Sequence, residues 1–105
     1  MWQGSVIAKR LKEARQRAGL SQKRLGVLAG IDEFAASPRM NQYERGKHVP
    51  NPAVVQRLGR ALKVPTPYFY AEDDTLAALI LAIDQLSSIK KGRLLRDLTG
   101  KPRPK

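Results

Sequence analysis

Ser37, Arg39, Asn41 and Gln42 crowd four polar side chains into one short stretch of a 105-residue chain. Their chemistry suits the edges of bases. An arginine can pair bidentately with guanine O6 and N7, and a glutamine with adenine N6 and N7. Arg39 and Gln42 are therefore the first choices for base reading, with Asn41 and Ser37 able to reach base edges or phosphates near the helix start. Around them lie Gln22, Lys23, Arg45, Lys47 and His48. These side chains suit phosphate contacts, which add affinity and salt dependence but little sequence information. The competing reading is a solvated polar face with no partner.

Such residues need a scaffold, and the flanking pattern predicts helices. Ile7, Leu11, Ala14 and Ala18 recur at three- and four-residue spacing, predicting a first helix from Val6 to Arg17 that Gly19 ends. Ser21 suits the N-cap of a second helix, Gln22 to Ala29, with Leu25, Leu28 and Ala29 inward and Gly30 closing it. Gly26 costs that helix roughly 1 kcal/mol relative to Ala, which close approach of the next helix would explain.

Asp32 to Ala36 reads as an extra turn with Phe34 as its buried aromatic. Ser37-Pro38 then marks a restart, because proline disfavours helical backbone before it and suits a first helical position. A third helix, Pro38 to Glu44 or Arg45, is expected to end at Gly46. Its inward face carries Met40, Tyr43 and Glu44, with Arg39 and Gln42 pointing the other way and Asn41 at the side. Two short helices around a glycine-containing turn, with hydrogen-bonding side chains on the second, form a helix-turn-helix suited to a DNA major groove.

Asn51-Pro52 opens a fourth helix reaching about Lys63, with Val54 or Val55, Leu58, Ala61 and Leu62 inside. A short aromatic turn or helix follows at Pro67 to Tyr70. Trp2, Tyr68, Phe69 and Tyr70 close the bottom of the core or line a ligand pocket. Asp73 and Asp74 suit the start of a further helix bearing Leu76, Leu79, Ile80, Ile83 and Leu86. Ser87 or Ser88 caps a last helix with Leu94, Leu95 and Leu98. Residues 100–105 read as a disordered basic tail.

The chain carries 20 Lys and Arg against 9 Asp and Glu, a net charge of +11. That excess favours a polyanion. Residues 1–70 hold 13 basic and 4 acidic side chains, and residues 71–105 hold 7 and 5, so the excess sits with the motif. With no cysteine and His48 as the single histidine, neither a metal site nor a cofactor is expected. No apolar run approaches the roughly 18 residues of a spanning helix, and the start of the chain lacks the apolar core of a signal peptide, so no membrane partner is expected. A cytoplasmic, nucleoid-associated location is compatible with this composition.

The chain resembles the lambda-repressor/Cro-like family, also called the xenobiotic response element family. The residues that carry the likeness are Arg15, Gly19-Leu20-Ser21-Gln22, Leu25, Gly30-Ile31, Tyr43-Glu44-Arg45-Gly46-Lys47, Pro50 and Ala61-Leu62-Lys63-Val64. Together they span about residues 6–70. The resemblance implies an all-α, five-helix DNA-binding domain over residues 1–70, with residues 71–99 as a helical extension that dimerises or packs back. It implies a base contact at Gln42, a phosphate contact at Gln22 and an ion pair between Arg15 and Glu44. It also implies a bacterial or phage regulator, a dimeric repressor of a pseudo-palindromic operator. The chain departs from the family by about four extra residues between Ile31 and Glu44, and by Gly26 and Gly59 where Ala is usual.

Two other functions compete with a regulator. An antitoxin would use residues 75–98 to hold a toxin and its N-terminal domain to repress its own operon. An enzyme is the weakest reading, since the sequence offers no phosphate loop and no paired-carboxylate constellation beyond Asp73-Asp74.

Overall fold

The computed structural model describes residues 3–101 and 104. Among them are six α-helices, one 3₁₀ helix and no strand. The order is α1 (Gln3–Arg17), α2 (Gln22–Leu28), α3 (Glu33–Glu44), α4 (Pro52–Leu62), the 3₁₀ helix (Thr66–Tyr70), α5 (Asp74–Asp84) and α6 (Ser88–Thr99). Side-chain caps start five of them. Ser21, Asp32, Asn51, Asp73 and Ser87 each accept a hydrogen bond from a backbone N–H of the first turn, satisfying a donor with no intrahelical partner.

The core lies among α1 to α4 and the 3₁₀ helix. Ile7, Leu11, Leu25, Met40, Val55 and Leu58 are almost wholly excluded from solvent, with Tyr68 and Phe69 below them. The Tyr68 and Phe69 rings meet edge-to-face, 5.6 Å apart. Both close the core, and Tyr70 is half-buried at its margin. Trp2 and residues 102, 103 and 105 of the tail lie outside the described residues. Ala18 follows the end of α1 and is exposed.

The largest correction concerns the stretch before Pro38. There is no restart: α3 runs unbroken from Glu33 to Glu44 with Pro38 inside it. A proline there removes the bond from its own position to the carbonyl of Phe34. Both residues are on the exposed side, where water can take that carbonyl. Asp32 caps the helix by accepting from the Phe34 N–H at 3.0 Å. Four extra residues amount to about one helical turn, so α3 is lengthened without changing which residues face inward.

That continuity overturns the reading of Phe34. Ala36, Met40 and Tyr43 form the buried stripe of α3. Phe34, two residues before Ala36, falls on the opposite side and is 90% exposed. Leu28 is corrected for a similar reason. The inward side of α2 is set by Leu25, Gly26 and Ala29, and Leu28 lies off that side, half-exposed.

Gly26 is where α2 and α3 meet. A Cβ built on it would stand 2.8 Å from the Ala36 Cβ and 3.1 Å from the Met40 Cγ. Close approach of the following helix is thus why α2 carries glycine at a position otherwise unfavourable for it.

In the C-terminal part, α5 returns to the core through Ala77, which is buried, with Ile80 and Leu81 packed beside it. In α6 no residue is buried.

Candidate nucleic-acid interface

The arrangement is built around one ion pair. Arg15, near the end of α1, sends Nε to Glu44 Oε2 at 2.6 Å and Nη2 to Glu44 Oε1 at 2.9 Å. Its Nη1 donates to the Leu20 carbonyl at 2.9 Å. The Glu44 side chain is only 3% exposed. The hydrogen bonds to Glu44 hold the Arg15 pKa above its ordinary value against the opposing effect of burial. A bidentate guanidinium–carboxylate pair fixes direction as well as distance. It therefore locks the C-terminal end of α3 to α1 and to the loop that starts α2.

Gln22 extends this network. Its Nε2 lies 3.3 Å from Glu44 Oε1 and 3.5 Å from Asn41 Oδ1. The side chain that sequence reasoning assigns to a phosphate is thus drawn across onto α3, while it remains at the N-terminus of α2. Lys23, its neighbour, stands 3.6 Å from Glu33 at the other end of α3.

The end of α3 sets the next group. Gly46 adopts a left-handed φ of +72°. The Gly46 N–H donates to the Tyr43 carbonyl and the Lys47 N–H to the Gln42 carbonyl, at 3.2 and 3.0 Å, the double bond pattern of a Schellman ending. The His48 N–H also approaches the Gln42 carbonyl, at 3.4 Å. Lys47 and His48 are thereby folded back beside Gln42, and their side chains are exposed.

Two stripes run along α3. The buried one is Ala36, Met40 and Tyr43, extended by the Glu44 side chain. The outermost one is Phe34, Pro38, Asn41 and Arg45, all exposed. Ser37 is exposed on the side of Gln22, seven residues before Glu44. Arg39, exposed, and Gln42, half-buried, occupy the opposite flank. Asn41 therefore stands further out than Gln42, which sequence reasoning points away from the core. Ser37, Arg39, Asn41 and Gln42 share one helix, and Arg45, Lys47 and His48 gather at its end.

Sequence reasoning missed three residues. Arg10 is 2% exposed. It donates to the Ala71 carbonyl at 2.8 Å and the Glu72 carbonyl at 3.0 Å, and pairs with Asp74 at 2.9 Å and Glu13 at 3.1 Å. Burial works to lower its pKa, but the bonds to Asp74 and Glu13 win and raise it. Arg57 donates to the Ala29 carbonyl at 2.8 Å, closing the end of α2. Phe34, expected in the core, is the third, 90% exposed on the outer stripe of α3. For Arg10 a signal was available: it sits three residues after Ile7, inside the apolar stripe of α1, where a charge needs partners.

A short helix, a tight turn from Ala29 to Asp32 and a braced second helix with Asn41 and Arg45 on its outer stripe define a helix-turn-helix protein. A family model described as a helix-turn-helix domain matches residues 6–67, and the chain belongs to that family. Among solved structures, it is similar to that of the transcriptional regulator BswR. The identity is 49%, the match covers 90% of this chain and 93% of that one, and the TM-score is 0.82. The comparison with curated proteins gave no match. Among the described residues, no helix is long and apolar enough to cross a membrane.

Proposed function

We propose that this chain is a sequence-specific, double-stranded-DNA-binding transcription regulator of the lambda-repressor/Cro-like kind, with the 3₁₀ helix as the fifth helix of its domain. The observation that carries the reading is the bracing of α3. Its C-terminal end is fixed by Arg15 and Glu44, with Asn41 on its outermost stripe, Ser37 on one flank, and Arg39 and the half-buried Gln42 on the other. A rigid helix bearing amide and guanidinium groups suits a major groove. Lys23, Arg45, Lys47 and His48 flank it with exposed side chains suited to phosphates. Gln22, at the N-terminus of α2, supplies a further phosphate contact. The likeness to a transcriptional regulator at 49% identity over most of both chains supports the same reading.

The working form is a homodimer acting as a repressor by occluding a promoter in the nucleoid. Leu76, Leu79, Ile89 and Leu98 are each about half-exposed or more. A twelve-residue helix alone in water is marginal, and α6 buries none of its own residues. A second copy covers this face and sets two recognition helices about 34 Å apart. The test is selection from random duplex DNA followed by sequencing. The expected product is a palindrome with half-sites one helical turn apart. Recovery of unrelated sequences, with affinity set by salt alone, would leave only non-specific binding.

A further inference from the structure

Phe34 is the most exposed large apolar side chain among the described residues, at 90%. Its backbone is fixed, since its own N–H donates to Asp32 at the start of α3. It shares the outermost stripe of that helix with Pro38, Asn41 and Arg45. The polar side chains exposed near this end of α3 are Asp32 and Glu33, with Lys23 opposite Glu33 on α2 and Arg39 further along α3. The two nearby acids are already engaged, Glu33 by Lys23 and Asp32 by the helix N-terminus.

An apolar ring on the outer stripe of the helix proposed to enter the groove, with Asn41 and Arg45 on the same stripe, fits one surface better than an apolar protein patch. The major groove of DNA offers one apolar group, the thymine 5-methyl, beside acceptors and phosphates. Leu76, Leu79, Ile89 and Leu98, proposed above to meet a second copy, lie instead on α5 and α6, and Val27 and Leu28 on α2 are less exposed than Phe34. We infer that Phe34 is a specificity-determining residue that packs on a thymine methyl, one turn of α3 beyond the polar contacts. This rests on the proposed DNA reading and adds a residue to it.

The test uses the full chain and the site obtained by selection. Each thymine is replaced in turn by deoxyuridine, which removes the methyl alone. For the wild-type protein one replacement per half-site is expected to weaken binding about fourfold, the effect of exposing one methyl group. Phe34→Ala should bind the thymine site at least that much more weakly and be indifferent to the same replacement. Phe34→Leu should restore part of the discrimination. Because Phe34 is exposed, both variants should keep the wild-type melting temperature and sedimentation behaviour.

Equal deoxyuridine losses in wild type and Phe34→Ala would overturn the inference while leaving DNA recognition intact. So would a change of oligomeric state in Phe34→Ala, which would make Phe34 a protein contact. A wild-type chain that selects no sequence would remove the DNA reading itself.

Discussion

Arg15 and Glu44 are joined through two hydrogen bonds, 2.6 and 2.9 Å, across 29 residues of sequence. With the Glu44 carboxylate nearly excluded from solvent, removal of one partner strands a buried charge. Glu44→Ala is expected to lower stability by about 3 kcal/mol or more in urea titration, and Arg15→Ala comparably. The double substitution should cost less than the sum of the two. The raised pKa of Arg15 means that its contribution is fully present below the unfolded pKa and is lost only as pH rises through the folded one. The pair should therefore stabilise equally from pH 6 to pH 9.

Gly26→Ala tests the helix crossing. Alanine gains up to about 1 kcal/mol in helix propensity, but its Cβ would stand 2.8 Å from that of Ala36. Overpacking of this kind costs about 1–3 kcal/mol, so net destabilisation is expected in urea titration. Ala36→Gly should recover part of it by opening the contact.

Asp74 tethers α5 to α1. Hydrogen bonds from Lys9 and Arg10 hold its carboxyl below the usual value of 3.8. A lowered folded pKa gives stability that is present above the unfolded value and lost as pH falls through the folded one. Amide exchange of α5 should accelerate below about pH 3.8 beyond the change elsewhere in the chain. In Asp74→Asn that acid-dependent step should vanish, and exchange should be fast at neutral pH as well.

Base reading and phosphate binding separate by substitution. Arg39→Ala and Gln42→Ala should each weaken binding to the selected site by about 1–3 kcal/mol and relax preference at one base pair. Lys47→Ala should weaken binding to all duplexes nearly equally and reduce the slope of affinity against salt. Competition titrations at three salt concentrations distinguish the two behaviours. If neither class changes binding, α3 does not dock as proposed.

The α5–α6 face makes its own prediction. Ile89→Glu or Leu98→Glu places a charge on a side chain about three-quarters exposed in one copy. Each should leave the fold of residues 3–70 intact by circular dichroism and shift the protein toward monomer in sedimentation equilibrium. Operator affinity should fall with it, since two half-sites are then no longer bound together.

Local signals carried much of the fold. Ser21, Asn51 and the serine and aspartate pairs before α5 and α6 marked helix starts, because capping needs one short polar side chain and nothing distant. Apolar spacing marked the inward faces of α1, α4 and the second half of α3 for the same reason. Polar side chains at 37, 39, 41 and 42 were legible as a group because one helical segment carries them all. What sequence alone misplaced was the stretch from Asp32 to Pro38, where the proline reads locally as a break. The tertiary structure decided otherwise. The Asp32 cap, the contact of Ala36 and Met40 with Gly26, and solvent at the Phe34 carbonyl together outweigh one lost hydrogen bond. The same contacts rotated Phe34 outward, the crossing of α2 and α3 drew Gln22 onto Glu44 and Asn41, and the return of residues 71–74 to α1 buried Arg10. Each depends on where a second helix lies, and a single-chain pattern does not contain that distance.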